Sequence, residues 1–368
     1  VKKEPFPTSK RPLRVGLFGY YGYGNFGDDL MAVVFGLFLA ERNTRISVYR
    51  LCRPYAEKYG LPVSYSIEDF MEDKDFIIYG GGGALLRPSS PRRVSKSPFK
   101  NELSHLLRVC SERKIPIYAI SVGGDGNSVK PLPPLKRSFI ESCAYMTVRN
   151  PQDLSLLEQA GKHGDCFPDI LWQTPQFFPM QRRKNRRPKI GIDIYGWDLA
   201  RSRAYYLPLL MFLICQIRRD MDFVFLDTVN RSHAGLHVLG RIGAGFNTKR
   251  YKFHDPASDM ELLTSLDLII STKLHAGLVC LSYGIPFISL FGREKTALFM
   301  KNTHLSELYF NHKRIHRFIS LMLRRGGGRH LMDHFQVPCF QSLIDRSYGH
   351  LRMLDRVLEE HGEVRPAS

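Results

Sequence analysis

Nine short apolar runs punctuate this chain, with stretches of helical periodicity between them. They read LRVGLFG, RISVYRL, DFIIYG, IPIYAISVG and YMTVRN, then KIGIDIYG, DFVFLD, LDLIIST and PFISLFG. Parallel strands cannot be joined by a tight turn; each needs a crossover, and strands covered on both faces read as near-continuous apolar runs. The alternation predicts an α/β protein of parallel sheets covered by helices. It breaks once, at the basic and aperiodic QRRKNRRPK, Gln181 to Lys189, which reads as a linker. The expected organisation is two Rossmann-like domains, 12–182 and 190–335, joined by a basic linker at 183–189 and followed by a helical tail at 336–368, where LIDRSYGHLRMLDRVLEEHG is amphipathic. Two doubly wound halves facing each other place ligands in the cleft between the C-terminal ends of their strands.

Composition narrows the ligands. At 368 residues and 43% hydrophobic content each half has enough apolar material for its own core. The formal charge of +18 attracts anions: phosphorylated metabolites, acidic glycans, an anionic membrane surface or nucleic acid. Nucleic acid is set aside, because the basic runs lack interleaved aromatics and no recognised module is present. The seven cysteines are scattered without zinc-finger spacing and read as reduced core thiols. The run YYLPLLMFLICQI at 205–217 falls short of the ~20 residues a membrane span needs and reads as a buried helix. The N-terminal stretch is polar with no apolar signal core, although the chain opens on Val1 and a targeting or anchoring segment ahead of it is allowed for. The expected location is the cytoplasm, including the inner face of the membrane.

Three strand-to-helix loops in the first half are rich in glycine: GYYGYGNFGDDL (Gly19 to Leu30), YGGGGALL (Tyr79 to Leu86) and SVGGDGNS (Ser121 to Ser128). Glycines there let the backbone turn tightly and approach a ligand closely. Asn25 or Asp28 is placed to cap a helix starting near Leu30, and together with Gly81 and Gly82 they form a candidate binding wall. A dinucleotide fingerprint does not fit, since no acidic ribose reader stands about 20 residues later. The alternative is a plain capping turn.

In the second half, Ser258 with Glu261 reads as a capping box, and STKLHAG lies where the next helix begins. Ser271, Thr272, Lys273 and His275 thus gather at a helix N-terminus on the cleft side, a place for an anion with a proton donor beside it; the alternative is a structural histidine. Arg149, at the end of YMTVRN, is placed either to grip a carboxylate or phosphate by two bonds or to pair with Asp153. Farther on, in HKRIHRFISLMLRRGGGRH, residues Ile315, Phe318, Ile319 and Met322 form an apolar stripe among Lys313, Arg314, Arg317, Arg324 and Arg325. That helix either packs on the second domain or touches an anionic membrane.

Taken in order, these segments resemble the polysaccharide pyruvyl transferases. GYYGYGNFGDDL is similar to the family's opening G-x-x-G-x-x-N-x-G-D, IIYGGGGAL to its glycine loop, TVRNPQDLSLLEQAG to its V-R-D-x-x-S element, FPDI to its P-D, and ISTKLHAGLVCLSYGIPFISL to its R-L-H-A element. Two positions depart: Lys273 stands where the family has Arg, and Asn150 where Asp is common. Lysine keeps the charge but loses the two-point fork. The resemblance implies a GT-B-like fold and an enzyme that moves the pyruvyl group of phosphoenolpyruvate onto two hydroxyls of a sugar in a glycan or glycan precursor, forming a cyclic ketal and releasing phosphate. It implies His275 as general acid/base, Arg149 and Lys273 as the donor clamp with Ser271, Thr272 and Lys295 beside them, and Asn25, Asp28, Gly81 and Gly82 on the acceptor side. No metal or cofactor is expected, phosphoenolpyruvate being a co-substrate; the sugar acceptor is free, lipid-linked or polymeric, and a peripheral membrane contact goes with the lipid-linked case. The competing readings are a GT-B glycosyltransferase using a nucleotide-sugar and a catalytically degenerate glycan-binding member of the family.

Overall fold

The structure is a computed structural model that describes residues 11–85, 98–124, 132–182, 185–194, 203–204, 206–228, 248–253, 255–324, 332, 335 and 338–363. The first half forms a seven-stranded sheet from β1 (Leu13–Phe18), β2 (Thr44–Tyr49), β3 (Val63–Ser64), β4 (Phe76–Gly80), β5 (Ile117–Val122), β6 (Cys143–Val148) and β7 (Asp165–Cys166). Its order is β3-β2-β1-β4-β5-β6-β7 and every pairing is parallel. The second forms a six-stranded parallel sheet from β8 (Lys189–Asp193), β9 (Asp222–Asp227), β10 (Thr248–Lys252), β11 (Leu268–Ser271), β12 (Phe287–Leu290) and β13 (Tyr309–Phe310), ordered β10-β9-β8-β11-β12-β13. Each of the nine apolar runs supplies one strand. The four unanticipated strands, β3, β7, β10 and β13, are all sheet edges; an edge strand is short or polar, because only one side is paired.

In both sheets the strand order reverses beside the first strand of the half, between β1 and β4 and between β8 and β11. Ligands bind at such switch points, outside the carboxyl ends of the strands. The loops after β1, β4 and β11 are among those singled out from sequence; the remaining glycine-rich one, SVGGDGNS, follows β5.

The helix after β1 runs from Phe26 to Ala40, four residues ahead of the start expected at Leu30. Asn25 occupies the N-cap position in extended conformation, yet its side chain caps nothing. The first turn is fixed across the molecule instead: the Phe26 N–H donates to the Thr228 carbonyl, 3.1 Å away in the second half. The helix is apolar around its circumference because it is buried on all sides. Its Phe26 ring meets Phe253 edge-on at 4.4 Å.

Other expectations are corrected. The helix Pro256–Thr264 is capped by Asp255, whose carboxylate accepts from the Ala257 and Ser258 N–H groups, so Ser258 and Glu261 form no capping box. Asp255 also accepts from Lys58 at 3.0 Å, and Asp259 of the same helix from the Tyr55 hydroxyl at 2.9 Å, so the helix is held against the first half. The linker ends one residue early, since Lys189 already opens β8. The tail is no appendage: its helices, Gln341–Ser347 and Gly349–Glu363, return to the first half. There Asp355 pairs with Arg42 at 2.6 Å, His361 meets the Tyr118 hydroxyl at 3.0 Å, and His350 meets the Thr147 hydroxyl at 2.8 Å. Cys339 is exposed, whereas Cys110, Cys143, Cys215 and Cys280 are buried as expected of core thiols.

The run at 205–217 yields a helix, Leu207–Ile217, that buries only one face. The stripe of the helix Ile315–Met322 packs on the second core, with Phe318 and Met322 fully buried and Ile315 and Ile319 against them. The apolar stripe is thus taken up by core packing and is not free to enter a membrane; Arg325 and the glycines after it lie outside the described residues. Among the described residues no helix is long and apolar enough to cross a membrane.

Candidate active site

The second-half wall is organised by a carboxylate that sequence reasoning passed over. Asp193, the last residue of β8, accepts from the Thr228 hydroxyl at 2.9 Å and the Ser271 hydroxyl at 2.8 Å, and its carbonyl accepts from the Thr272 N–H at 3.0 Å. Ser271 in turn accepts from the Lys273 N–H at 2.8 Å. These bonds lock the turn after β11, so that Lys273 is extended at the N-cap and the helix Leu274–Ser282 starts immediately after it. His275 falls in the first turn, aimed back toward the first half. Its ring is buried, and among the described residues Nε2 has no hydrogen-bond partner. Burial, with the positive charges of Lys295, Arg149 and Lys273, holds its pKa well below the usual imidazole range. Both causes favour the neutral ring.

The facing wall is the loop after β1 and the first turn of the helix Phe26–Ala40. Tyr21 donates to the Gly80 carbonyl, tying this loop to the end of β4. Gly22 has φ of +70°, and a side chain there would meet the Arg50 carbonyl, so only glycine lets the chain turn. Its N–H donates to Asp29 at 2.6 Å, and Asn25 donates to Asp28. Burial raises the pKa of Asp28 against the opposing pull of Lys295 and Arg149. Burial, with the charge of Asp28 adding, pushes Asp29 up to about 7. Gly27 lies against His275 so closely that a methyl on its Cα would come within 1.9 Å of Nδ1.

Between these walls is a cleft of about 500 Å³. Of the residues singled out from sequence, Asn25, Asp28, Thr272, Lys273, His275 and Lys295 line it. Lys295 sits in the first turn of the helix Glu294–Asn302; burial foremost, then the charge of Arg149, pushes its pKa down to about 8, while Asp28 opposes them. Ser271 is not at the wall: it is fully buried, with its hydroxyl engaged as described. Arg149 is also set behind the wall. Its guanidinium donates to Asp169 of the FPDI segment at 2.6 Å, with both side chains about 95% buried. It does not pair with Asp153, which instead accepts from the Gly124 N–H and from Asn150. The charge of Arg149 still reaches His275, Lys295 and Asp28. In the glycine loop Gly83 lines the cleft, whereas Gly81 and Gly82 lie behind it: the Gly82 N–H points at Met31 Sδ, and a side chain at Gly81 would strike Met31.

Much of the remaining lining is apolar and aromatic. Tyr20 stacks on Tyr23 with ring centroids 4.5 Å apart, and Phe99 stands edge-on to Tyr20 at 5.1 Å. Tyr23 is fixed by Glu102 at 2.8 Å. Arg293, Lys100 and Lys136 add cationic lining that the sequence reading did not single out; Lys100 and Lys136 sit outside the strand-to-helix glycine turns that guided the search, and Arg293 follows Gly292 as the N-cap of the helix Glu294–Asn302, where only Lys295 was singled out.

Two parallel doubly wound sheets with a shared cleft between their switch points define a GT-B-like protein. The chain belongs to the polysaccharide pyruvyl transferase family, whose profile matches residues 25–291. That span takes in the first turn of the helix Phe26–Ala40 and the turn from Ser271 to His275, and ends ahead of Lys295. Solved structures of like fold include S. aureus MnaA with UDP, at TM-score 0.65 and 9% identity over 97% of this chain and 99% of that one. The Methanocaldococcus jannaschii UDP-GlcNAc 2-epimerase with UDP-GlcNAc and UDP is similar at TM-score 0.58 and 10% identity, over 94% of this chain and 100% of that one. The Neisseria meningitidis UDP-GlcNAc 2-epimerase bound to UDP-GlcNAc is similar at TM-score 0.55 and 10% identity, over 94% and 99%. At such identities the likeness is one of fold. No curated protein matches the sequence.

Proposed function

We propose that the cleft transfers the pyruvyl group of phosphoenolpyruvate to two hydroxyls of a sugar in a glycan or glycan precursor, leaving a cyclic ketal and inorganic phosphate. The observation that carries this reading is a buried imidazole at a helix N-terminus, whose Nε2 has no hydrogen-bond partner among the described residues and which lies within the field of Lys295, Arg149 and Lys273. Membership of the family supports it. A trianionic donor would be drawn to Lys273, Lys295 and the N–H groups of the helix Leu274–Ser282. Burial first and the cations second hold the His275 pKa down; the donor's negative charge would offset the cations and favour a proton on the imidazole as it binds. His275 then protonates the methylene carbon, and positive charge develops on the neighbouring carbon. A first sugar hydroxyl attacks there and returns its proton to His275. The bond to phosphate oxygen breaks, a second hydroxyl adds to the same carbon, and its proton leaves with the phosphate. Asn25 and Asp28, facing His275 across the cleft, would hold the acceptor hydroxyls, and the Tyr20 and Phe99 rings would form the far wall of the acceptor subsite.

The test is to incubate purified protein with phosphoenolpyruvate and a panel of sugars, nucleotide-sugars and lipid-linked sugars, following phosphate release and the mass of the acceptor. Phosphate release matched by acceptor gaining a pyruvyl ketal is expected. Release of UDP from UDP-sugars without consumption of phosphoenolpyruvate would instead establish glycosyl transfer, and donor binding without turnover would establish the degenerate reading.

A further inference from the structure

The helix Leu207–Ile217 packs on the second core through Leu207, Met211, Ile214 and Cys215. On its other side Tyr206, Leu209, Leu213 and Ile217 are 42 to 63% exposed. Spaced three or four residues apart, they form one stripe along the helix. A lone exposed leucine is ordinary, but an aligned apolar row marks a contact surface.

The neighbour of this helix is the helix Ile315–Met322, which packs on the same core. The two lie side by side in the same direction, because they are joined at both ends. At the start Tyr206 meets His312 with ring centroids 6.2 Å apart, and at the far end Arg218 donates to the Met322 carbonyl at 2.6 Å. The exposed side of the neighbour carries Lys313, His316, Arg317, Leu323 and Arg324. Neither helix contains an acidic residue, and from Leu308 to Met332 the sequence holds six Lys or Arg and no Asp or Glu. The flanking acids Asp220 and Glu307 are tied to Arg218 and Arg314.

We propose that this two-helix face docks the protein on an anionic lipid surface. The apolar stripe enters the boundary between headgroups and acyl chains, while the neighbouring cations meet acidic headgroups. A second copy of the same face would bring cations against cations. The stripe also starts beside the cleft: Tyr206 meets Phe291 at 6.3 Å, and Phe291 follows β12 only four residues before Lys295.

Sedimentation of the full chain with vesicles tests this without any substrate, so the result stands apart from the reaction. The chain should pellet at low salt with vesicles of equal parts phosphatidylcholine and phosphatidylglycerol, and stay in the supernatant with phosphatidylcholine alone. The double variants Leu209→Glu/Leu213→Glu and Lys313→Glu/Arg317→Glu should each weaken binding by at least about tenfold while melting like the parent. Both alter exposed positions outside the cleft. No pelleting with anionic vesicles, equal pelleting with neutral ones, or unchanged binding by well-folded variants would overturn the proposal. So would a dimer in solution that Leu209→Glu/Leu213→Glu dissociates, since a second copy would then be the occupant.

Discussion

Gly27→Ala perturbs the cleft at the point where the two halves touch the group proposed to react. A methyl on Gly27 would lie 1.9 Å from His275 Nδ1, 2.2 Å from Cγ and 2.3 Å from Cβ, where carbon atoms at rest stand about 3.5–4.0 Å apart. The atoms it strikes include the root of the side chain, so turning the ring does not clear them. Either the first turn of the helix Phe26–Ala40 or the start of the helix Leu274–Ser282 must retreat by more than an ångström. Alanine suits a helix better than glycine by about 1 kcal/mol, and overpacking costs about 1–3 kcal/mol. The net change in stability is thus small, a loss of at most about 2 kcal/mol. Function is far more sensitive, because displacing a reacting group by ~1 Å costs on the order of 100-fold in rate. Phosphate release from phosphoenolpyruvate, measured beside the melting curve, should show kcat/KM down by about two orders of magnitude with a modest fall in Tm. The double variant with His275→Ala should be no slower than His275→Ala alone, since both disable one unit. Wild-type turnover in Gly27→Ala would refute the contact as the determinant of His275 placement.

His275→Ala should abolish transfer and leave phosphoenolpyruvate affinity close to wild type in calorimetry, because proton transfer belongs to the transition state; retained turnover would return His275 to a structural role. Asp169→Asn should destabilise the fold by about 3 to 5 kcal/mol in urea unfolding, since it leaves the buried Arg149 charge unmatched. A loss below about 1 kcal/mol would show that the pair is solvated. For His350, burial lowers the pKa to about 3, so the folded state holds fewer protons than the unfolded one between that value and the unfolded pKa of about 6.5. Its contribution is intact above about pH 6.5 and is lost as pH falls, by up to about 1.4 kcal/mol per pH unit. His350→Gln should flatten the acid limb of stability by that slope, and an unchanged slope in denaturant titrations from pH 7 to 4 would refute it.

Sequence periodicity was enough to find the core strands, because a strand buried on both faces has to be apolar wherever it sits in the chain. The same argument misses β3, β7, β10 and β13, whose residues answer to one neighbour and to solvent. Glycine content marked the loops after β1 and β4 at the first switch point, since a turn such as that at Gly22 admits only glycine, and the expected helix start at STKLHAG marked the loop after β11. Motif resemblance carried His275, Lys273, Asn25 and Asp28 to the cleft. Partnership across the fold was not legible: Arg149 and Asp169 are 20 residues apart and Thr147 and His350 are 203 apart, and no local pattern encodes such pairs. Nor did sequence reveal that Gly27 is small for the sake of a histidine in the other half. An apolar row is likewise silent about what covers it. The stripe at Ile315 to Met322 and the row from Tyr206 to Ile217 look alike on paper; only the packing of the second sheet put one against the core and left an edge of the other outside, because burial is decided by what lies opposite a side chain in space.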